Sequence, residues 1–217
     1  MKNDVARSIK AALMWLEAWD FKTLDYFLRV FNTWVNDLFT GEVTEAEFVD
    51  RLADLIDQQL NRAWNEGMRL NGLDPLTAMT PEFQAMLQDI IANEYMYVDQ
   101  FADDIASGKY TLEQMQARAE LWSNRYNDVV NRAALETADD KDKLIWNLGA
   151  TEAHCTTCSA LNGVVLRASE WAALGVHPQS PPNGKLECGG WKCDCSLTPT
   201  DQRRTRDGYG KVEEILL

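Results

Sequence analysis

The sequence predicts a mainly α protein, with long N-terminal helices followed by a small α+β zinc-binding C-terminal lobe. Three observations predict it. Apolar residues recur at helical spacing up to about residue 138. Beyond that point Gly and Pro concentrate, and the apolar runs shorten to strand-like stretches. All five cysteines, Cys155, Cys158, Cys188, Cys193 and Cys195, fall in that later part. The expected organisation is a helical domain over 1–138, a cysteine-rich lobe over 139–200 and a C-terminal tail over 201–217.

A first helix is expected from about Asp4 to Trp19, capped by Asn3 or Asp4, with Ile9, Leu13, Leu16 and Trp19 at helical spacing. A second covers about Thr23 to Leu38 with a broad face of Leu24, Phe27, Phe31, Trp34, Val35 and Leu38, and Gly41 stops it. Thr44 and Glu47 match a capping box, and the helix they open carries Phe48, Leu52, Ile56, Leu60, Trp64 and Met68 before Asn71-Gly72. Leu73 to Met79 reads as a loop. Thr80-Pro81 starts another helix, whose stripe from Phe83 through Ile90, Val98 and Ile105 runs to Gly108. Thr111 and Gln114 form a second capping box, and the last long helix holds Met115, Trp122, Tyr126, Val129 and Ala133. Such stripes pack into a core. A sharper alternative makes the Trp-rich first two helices (Trp15, Trp19, Trp34) a partner surface.

The later part reads differently. Lys143–Trp146 and Val164–Leu166 are strand candidates, the second following the Asn162-Gly163 turn. Ser169 is placed to cap a short helix through Trp171 to Leu174. The stretch from Val176 to Lys185 is irregular, and Lys192–Leu197 suits a last strand. Arg203, Arg204 and Arg206 form the densest basic cluster and read as a solvated tail; Glu213–Leu217 either docks an apolar terminus on a neighbour or frays.

Charge narrows the function. Lys plus Arg is 21 against 34 Asp plus Glu, a net −13, so a DNA backbone would repel the chain away from any segregated basic patch. A basic or neutral protein partner is favoured. Charged residues interrupt every apolar run among the first nineteen positions, unlike a signal peptide. No stretch approaches the roughly 20 apolar residues that span a bilayer. The expectation is a cytoplasmic or assembly-bound protein with no membrane contact.

An odd number of cysteines, clustered in one short region, argues for a metal site over a disulfide framework. Cys155-Thr-Thr-Cys158 places two thiolates on one side of an ion, and the group from Cys188 to Cys195 can supply two more. Zinc takes four ligands in a tetrahedron, and thiolates suit it. One structural zinc on four of the five cysteines would also staple strands too short to make a stable core unaided. A disulfide with free thiols, or thiols packed as small apolar groups, are the alternatives. His154 and His177, the only histidines, could each replace a cysteine, but the expected reading is an exposed His that is not a ligand. A catalytic zinc needs an open position and a nearby base. The H-x-E…P-C-x-x-C order of nucleobase deaminases is absent, as are a P-loop, G-x-S-x-G and H-E-x-x-H. No enzymatic activity is expected. A zinc-ribbon nucleic-acid-binding module is the rival reading.

Arg132 (or Arg125), Ile145-Trp146, His154-Cys155-Thr-Thr-Cys158, Leu161-Asn162-Gly163 and Cys193-Asp194-Cys195 together carry a likeness. The run from Arg125 to Leu197 resembles the phage head-morphogenesis family, the Mu F-like minor head proteins. Many members of that family place Pro and His three residues before the distal C-x-C, where this chain has Gly190 and offers Cys188 upstream. The resemblance implies Cys155 and Cys158 as ligands; at the departure Cys188 is expected to substitute, with one of Cys193 or Cys195 completing the set. It implies a structural minor head protein of a phage or prophage, associating with the portal protein and other head proteins during head assembly. The expected location is the virion, at the capsid interior or portal, after assembly in the host cytoplasm. Packaged DNA is a further expected contact, through Arg203, Arg204 and Arg206.

Overall fold

The computed structural model describes residues 24–150, 153–191 and 193–217. The helix expected over Asp4–Trp19 lies outside the described residues. The chain is mainly helical, with a small sheet and a cysteine cluster near its C-terminus.

The helical part begins with α1 (Leu24–Thr40) and α2 (Glu45–Leu70). Thr44 caps α2 as its sequence predicts: its Oγ1 accepts the Glu47 N–H at 3.2 Å, and the Glu47 carboxylate accepts the Thr44 N–H at 3.0 Å. The segment Leu73–Met79 is not wholly a loop. It contains a single turn, α3 (Pro75–Ala78), because the Asp74 carboxylate accepts the Leu76 N–H at 3.1 Å. The stripe expected to run unbroken to Gly108 is two helices, α4 (Pro81–Tyr95) and α5 (Val98–Ala106), with exposed Met96 and Tyr97 between them. The last long helix is likewise split, into α6 (Leu112–Ser123) and α7 (Arg125–Glu136), and Thr111 and Gln114 form the capping box that opens α6.

These helices bury one apolar cluster. Phe31 meets Phe101 and Trp122 edge-on, each with ring centres 5.6 Å apart, and Phe101 meets Trp122 at 5.3 Å. Edge-to-face stacking of this kind adds about 1 kcal/mol per pair beyond the area buried. Trp34 packs half-buried against the same cluster. The pairing of α2 with α7 is the most extensive helix contact in the fold, and Gly67 makes it possible. A Cβ there would lie 2.4 Å from the Val130 carbonyl oxygen and 2.5 Å from the Ala133 Cβ. No side chain fits that gap.

The second part is built on β1 (Lys143–Asn147), flanked by β2 (Val165–Arg167) and β3 (Ser196–Pro199) in the antiparallel order β2-β1-β3. Between β1 and β2 lies α8 (Thr156–Leu161), and α9 (Ala168–Leu174) follows β2 directly. Pairing of Leu144 with Leu166 and of Trp146 with Leu197 puts four fully buried side chains in one cluster. Trp171 joins them, its ring centre 5.7 Å from that of Trp146. Arg167, not Ser169, precedes the first residue of α9. The Glu170 carboxylate accepts the Arg167 N–H at 2.9 Å, while the Ser169 hydroxyl donates to the Asp140 carbonyl. The last strand starts at Ser196, later than its apolar pattern suggests, because Cys193 and Cys195 are occupied elsewhere.

The tail is not frayed. The Thr205 N–H donates to the Val165 carbonyl at 2.9 Å, and the Lys143 ammonium donates to the carbonyls of Asp201 and Gln202. Residues Gly208–Ile215 then form α10, whose Val212 is fully buried in the second cluster. Burying that side chain is what holds the segment down. Of the expected basic cluster, Arg204 is committed to Glu170 at 2.8 Å, while Arg203 and Arg206 are exposed.

Candidate metal centre

The cysteines converge from three places. Cys155 is the N-cap of α8, in extended backbone conformation, and its sulfur accepts the Cys158 N–H at 3.3 Å. That turn brings both sulfurs to one side. Thr156 then anchors the turn to the opposite loop, with its N–H donating to the Glu187 carboxylate at 2.7 Å. That loop delivers Cys188. Gly189 and Gly190 both adopt positive φ, and the Gly190 N–H points back to the Cys188 sulfur. A Cβ on Gly190 would lie 2.7 Å from the Ser180 carbonyl carbon, so glycine is required twice over, for φ and for space. Cys193 and Cys195 arrive on the segment leading into β3. The Cys195 N–H points at the Cys193 sulfur and the Gly149 N–H at the Cys195 sulfur.

Two groups of three sulfurs result, Cys155–Cys158–Cys188 and Cys158–Cys193–Cys195, and within each the sulfurs lie within 4.8 Å of one another. Cys158 belongs to both and is fully buried. Tetrahedral zinc, with Zn–S near 2.3 Å, needs sulfurs about 3.8 Å apart. All five cysteines are free thiols in this structure. Among the described residues these two groups contain sulfur donors alone. His177 is instead paired with Asp128, its Nε2 2.8 Å from Oδ1.

The thiols perturb one another. Hydrogen bonds from Cys158 and then Cys193 hold Cys195 down to about 3. Donation to Cys193 and Cys195, reinforced by burial, pushes Cys158 up. Burial pushes Cys188 up to about 11. At Cys155 burial also opposes ionisation, but N–H and thiol donors from Cys158 and Cys188 outweigh it and lower the value. Close thiolates repel, so a cation bound here displaces protons, and acid opposes its binding. The donor set could hold a metal ion, and sulfur donors select soft or borderline ions.

Of the residues that hold this centre against the helical body, sequence reasoning reached Arg125 alone, as an alternative to Arg132 in the family likeness. Arg125, Asp128 and Asn131 form one polar ridge along α7. The Arg125 guanidinium pairs with Glu94 at 2.8 Å and with Asp128, and the Trp122 indole N–H donates to Glu94 at 2.6 Å. Asn131 is 3% exposed and bonded to the cysteine lobe through both ends of its amide. The spacing of three residues along a helix was the available signal. Gln179, which meets Asn131 across the joint, had none.

A cleft of about 620 Å³ lies where the two parts meet, walled by Tyr97, Trp122 and Arg125 on one side and Pro181, Pro182 and Trp191 on the other. Glu94 and Arg125 within it are paired with each other. Among the described residues no helix is long and apolar enough to cross a membrane.

Comparison of the chain with protein-family models, with curated proteins and with solved structures finds no match.

Proposed function

We propose that this chain is a structural minor head protein of a phage or prophage, built on a helical body and a lobe stapled by one structural zinc ion. The observation that carries the reading is the convergence of Cys155-x-x-Cys158 with Cys193-x-Cys195, the same residues on which the family resemblance rests. Zinc suits an all-sulfur set, and four thiolates complete its tetrahedron and leave no position for an activated water. The role is therefore structural, with no catalysis. Cys158 is common to both sulfur groups and is a ligand in every choice of four that keeps either group whole. The net charge of −13 supports a protein partner over nucleic acid. The portal protein and neighbouring head proteins are the proposed partners, met in the host cytoplasm and retained in the virion. DNA contact through the basic cluster would fall to Arg203 and Arg206, since Arg204 is bound to Glu170.

Quantitative mass spectrometry of purified particles tests the assignment. A few to tens of copies per particle, alongside the portal, is the expected result. Absence from both assembling and mature particles would overturn it. Metal analysis of the purified chain tests the zinc, with one equivalent per chain expected.

A further inference from the structure

Gln179 holds a backbone conformation that side chains avoid. Its φ is +56°, and it is 2% exposed. Glycine would adopt this conformation without steric cost, so a buried glutamine there calls for a use of its side chain. The use is visible. Its Nε2 donates to the carbonyl of Cys193, and its Oε1 accepts from Asn131 Nδ2 at 3.2 Å. Asn131 in turn donates to the carbonyl of Cys195 at 3.3 Å and accepts the Leu197 N–H at 2.8 Å. The two amides thus grip the backbone at three alternate residues of the segment that presents Cys193 and Cys195. Both cysteines precede β3, outside the sheet pairing that fixes the residues after them.

We infer that Gln179 and Asn131 are positioning residues of the metal centre, an amide clamp that sets where the distal C-x-C aims its sulfurs. Neither touches the ion; both act on ligand residues through backbone carbonyls. The clamp also makes α7 part of the centre's outer support, since Asn131 belongs to that helix. Groups that orient metal ligands in this way commonly affect affinity by about 10–100-fold. The inference rests on the metal reading above.

The test compares full-length wild type, Gln179→Gly and Asn131→Asp. Gln179→Gly removes the arm of the clamp on Cys193 and relieves the backbone. Asn131→Asp keeps an acceptor for Leu197 and loses the donor to Cys195. Each is loaded with Co²⁺ for its visible and charge-transfer spectrum, and with Zn²⁺ for its release rate to a chromogenic chelator. Far-UV circular dichroism confirms that the compared proteins are folded. Both variants are expected to release zinc about tenfold faster or more and to show altered cobalt bands. A folded variant with the wild-type spectrum and release rate overturns the clamp while leaving the metal reading intact. Where one variant fails to fold, the other decides the matter; if neither folds, the clamp is a folding element and the inference fails. Wild type that takes up neither ion overturns both readings.

Discussion

Gly67→Ala tests whether α2 and α7 are as close as their shared interface requires. Alanine is the better helix former by about 1 kcal/mol, so propensity alone predicts stabilisation. The added Cβ, however, would sit 2.4 Å from the Val130 carbonyl oxygen and 2.5 Å from the Ala133 Cβ. Backbone atoms cannot rotate aside as a side-chain tip can. The helices must part by nearly 1 Å, which loosens contacts along the whole interface. Overpacking of this kind costs about 3 kcal/mol where relief is blocked. The net expectation is a loss of about 2 kcal/mol. Gly210→Ala is the internal control, because its Cβ would meet nothing within 4 Å on α10. That change should stabilise by about 0.5–1 kcal/mol. Guanidinium unfolding followed at 222 nm reads both. Opposite shifts in midpoint at an unchanged slope are expected. A neutral or stabilising Gly67→Ala refutes the close-approach argument.

Four other outcomes are expected. Glu94→Gln leaves Arg125 with Asp128 as its one carboxylate partner and weakens the bond to Trp122, so stability should fall by about 2 kcal/mol in the same unfolding assay. Val212→Ala removes a fully buried side chain that anchors α10; a loss of about 2 kcal/mol is expected, against none if the terminus were frayed. The Arg204 guanidinium, and after burial's opposing effect the Arg167 N–H, hold the Glu170 carboxyl below its ordinary 4.5. Its contribution is therefore complete above that value and lost as pH falls through the lower folded value. The stability gap between wild type and Glu170→Gln should be flat near neutrality and shrink in acid unfolding series below pH 4.5. Finally, a strong chelator, or Cys155→Ser, should abolish the near-UV signal of Trp146 and Trp171 while most far-UV helical signal survives. Full metal content and an unchanged melting curve in Cys155→Ser would remove that residue from the site.

Local chemistry was legible wherever a side chain acts on its own backbone neighbours. Thr44 with Glu47, and Thr111 with Gln114, cap the helices their spacing announces. The strands at Lys143 and Val165 stand within a residue of their apolar runs. The grouping of the cysteines was legible too, because C-x-x-C and C-x-C constrain sulfur directions locally. The helix breaks were not. Leu87, Ile91, Glu94, Val98, Phe101 and Ile105 keep one helical phase across Met96–Tyr97, and neither Gly nor Pro marks the turn. The same holds at Asn124, where the stripe from Ala119 to Val129 continues across the break. The need for Gly67 was not legible, since its reason lies on another helix far along the chain. The roles of Gln179 and Asn131 were not legible for the same reason: their partners are backbone groups of Cys193, Cys195 and Leu197, many positions later. Docking of α10 rests on one fully buried valine with half-buried Tyr209, Ile215 and Leu216 beside it, too little apolar pattern to tell from an exposed end.

The two apolar clusters differ in when their members leave the ribosome. Among the described residues, every buried member of the first lies at or before Ala133, whereas the second takes Leu135 and then nothing before Leu144. Synthesis proceeds from the N-terminus, and early units can fold while later ones are still being made. The helical body can therefore close before any thiol has left the ribosome. At that moment the ridge of Arg125, Asp128 and Asn131 faces water, which satisfies its hydrogen bonds at no cost. The lobe that follows meets a finished surface and exchanges those waters for His177, Gln179 and the carbonyl of Cys195. In this order of events α7 serves first as the last wall of one core and then as the template for the next.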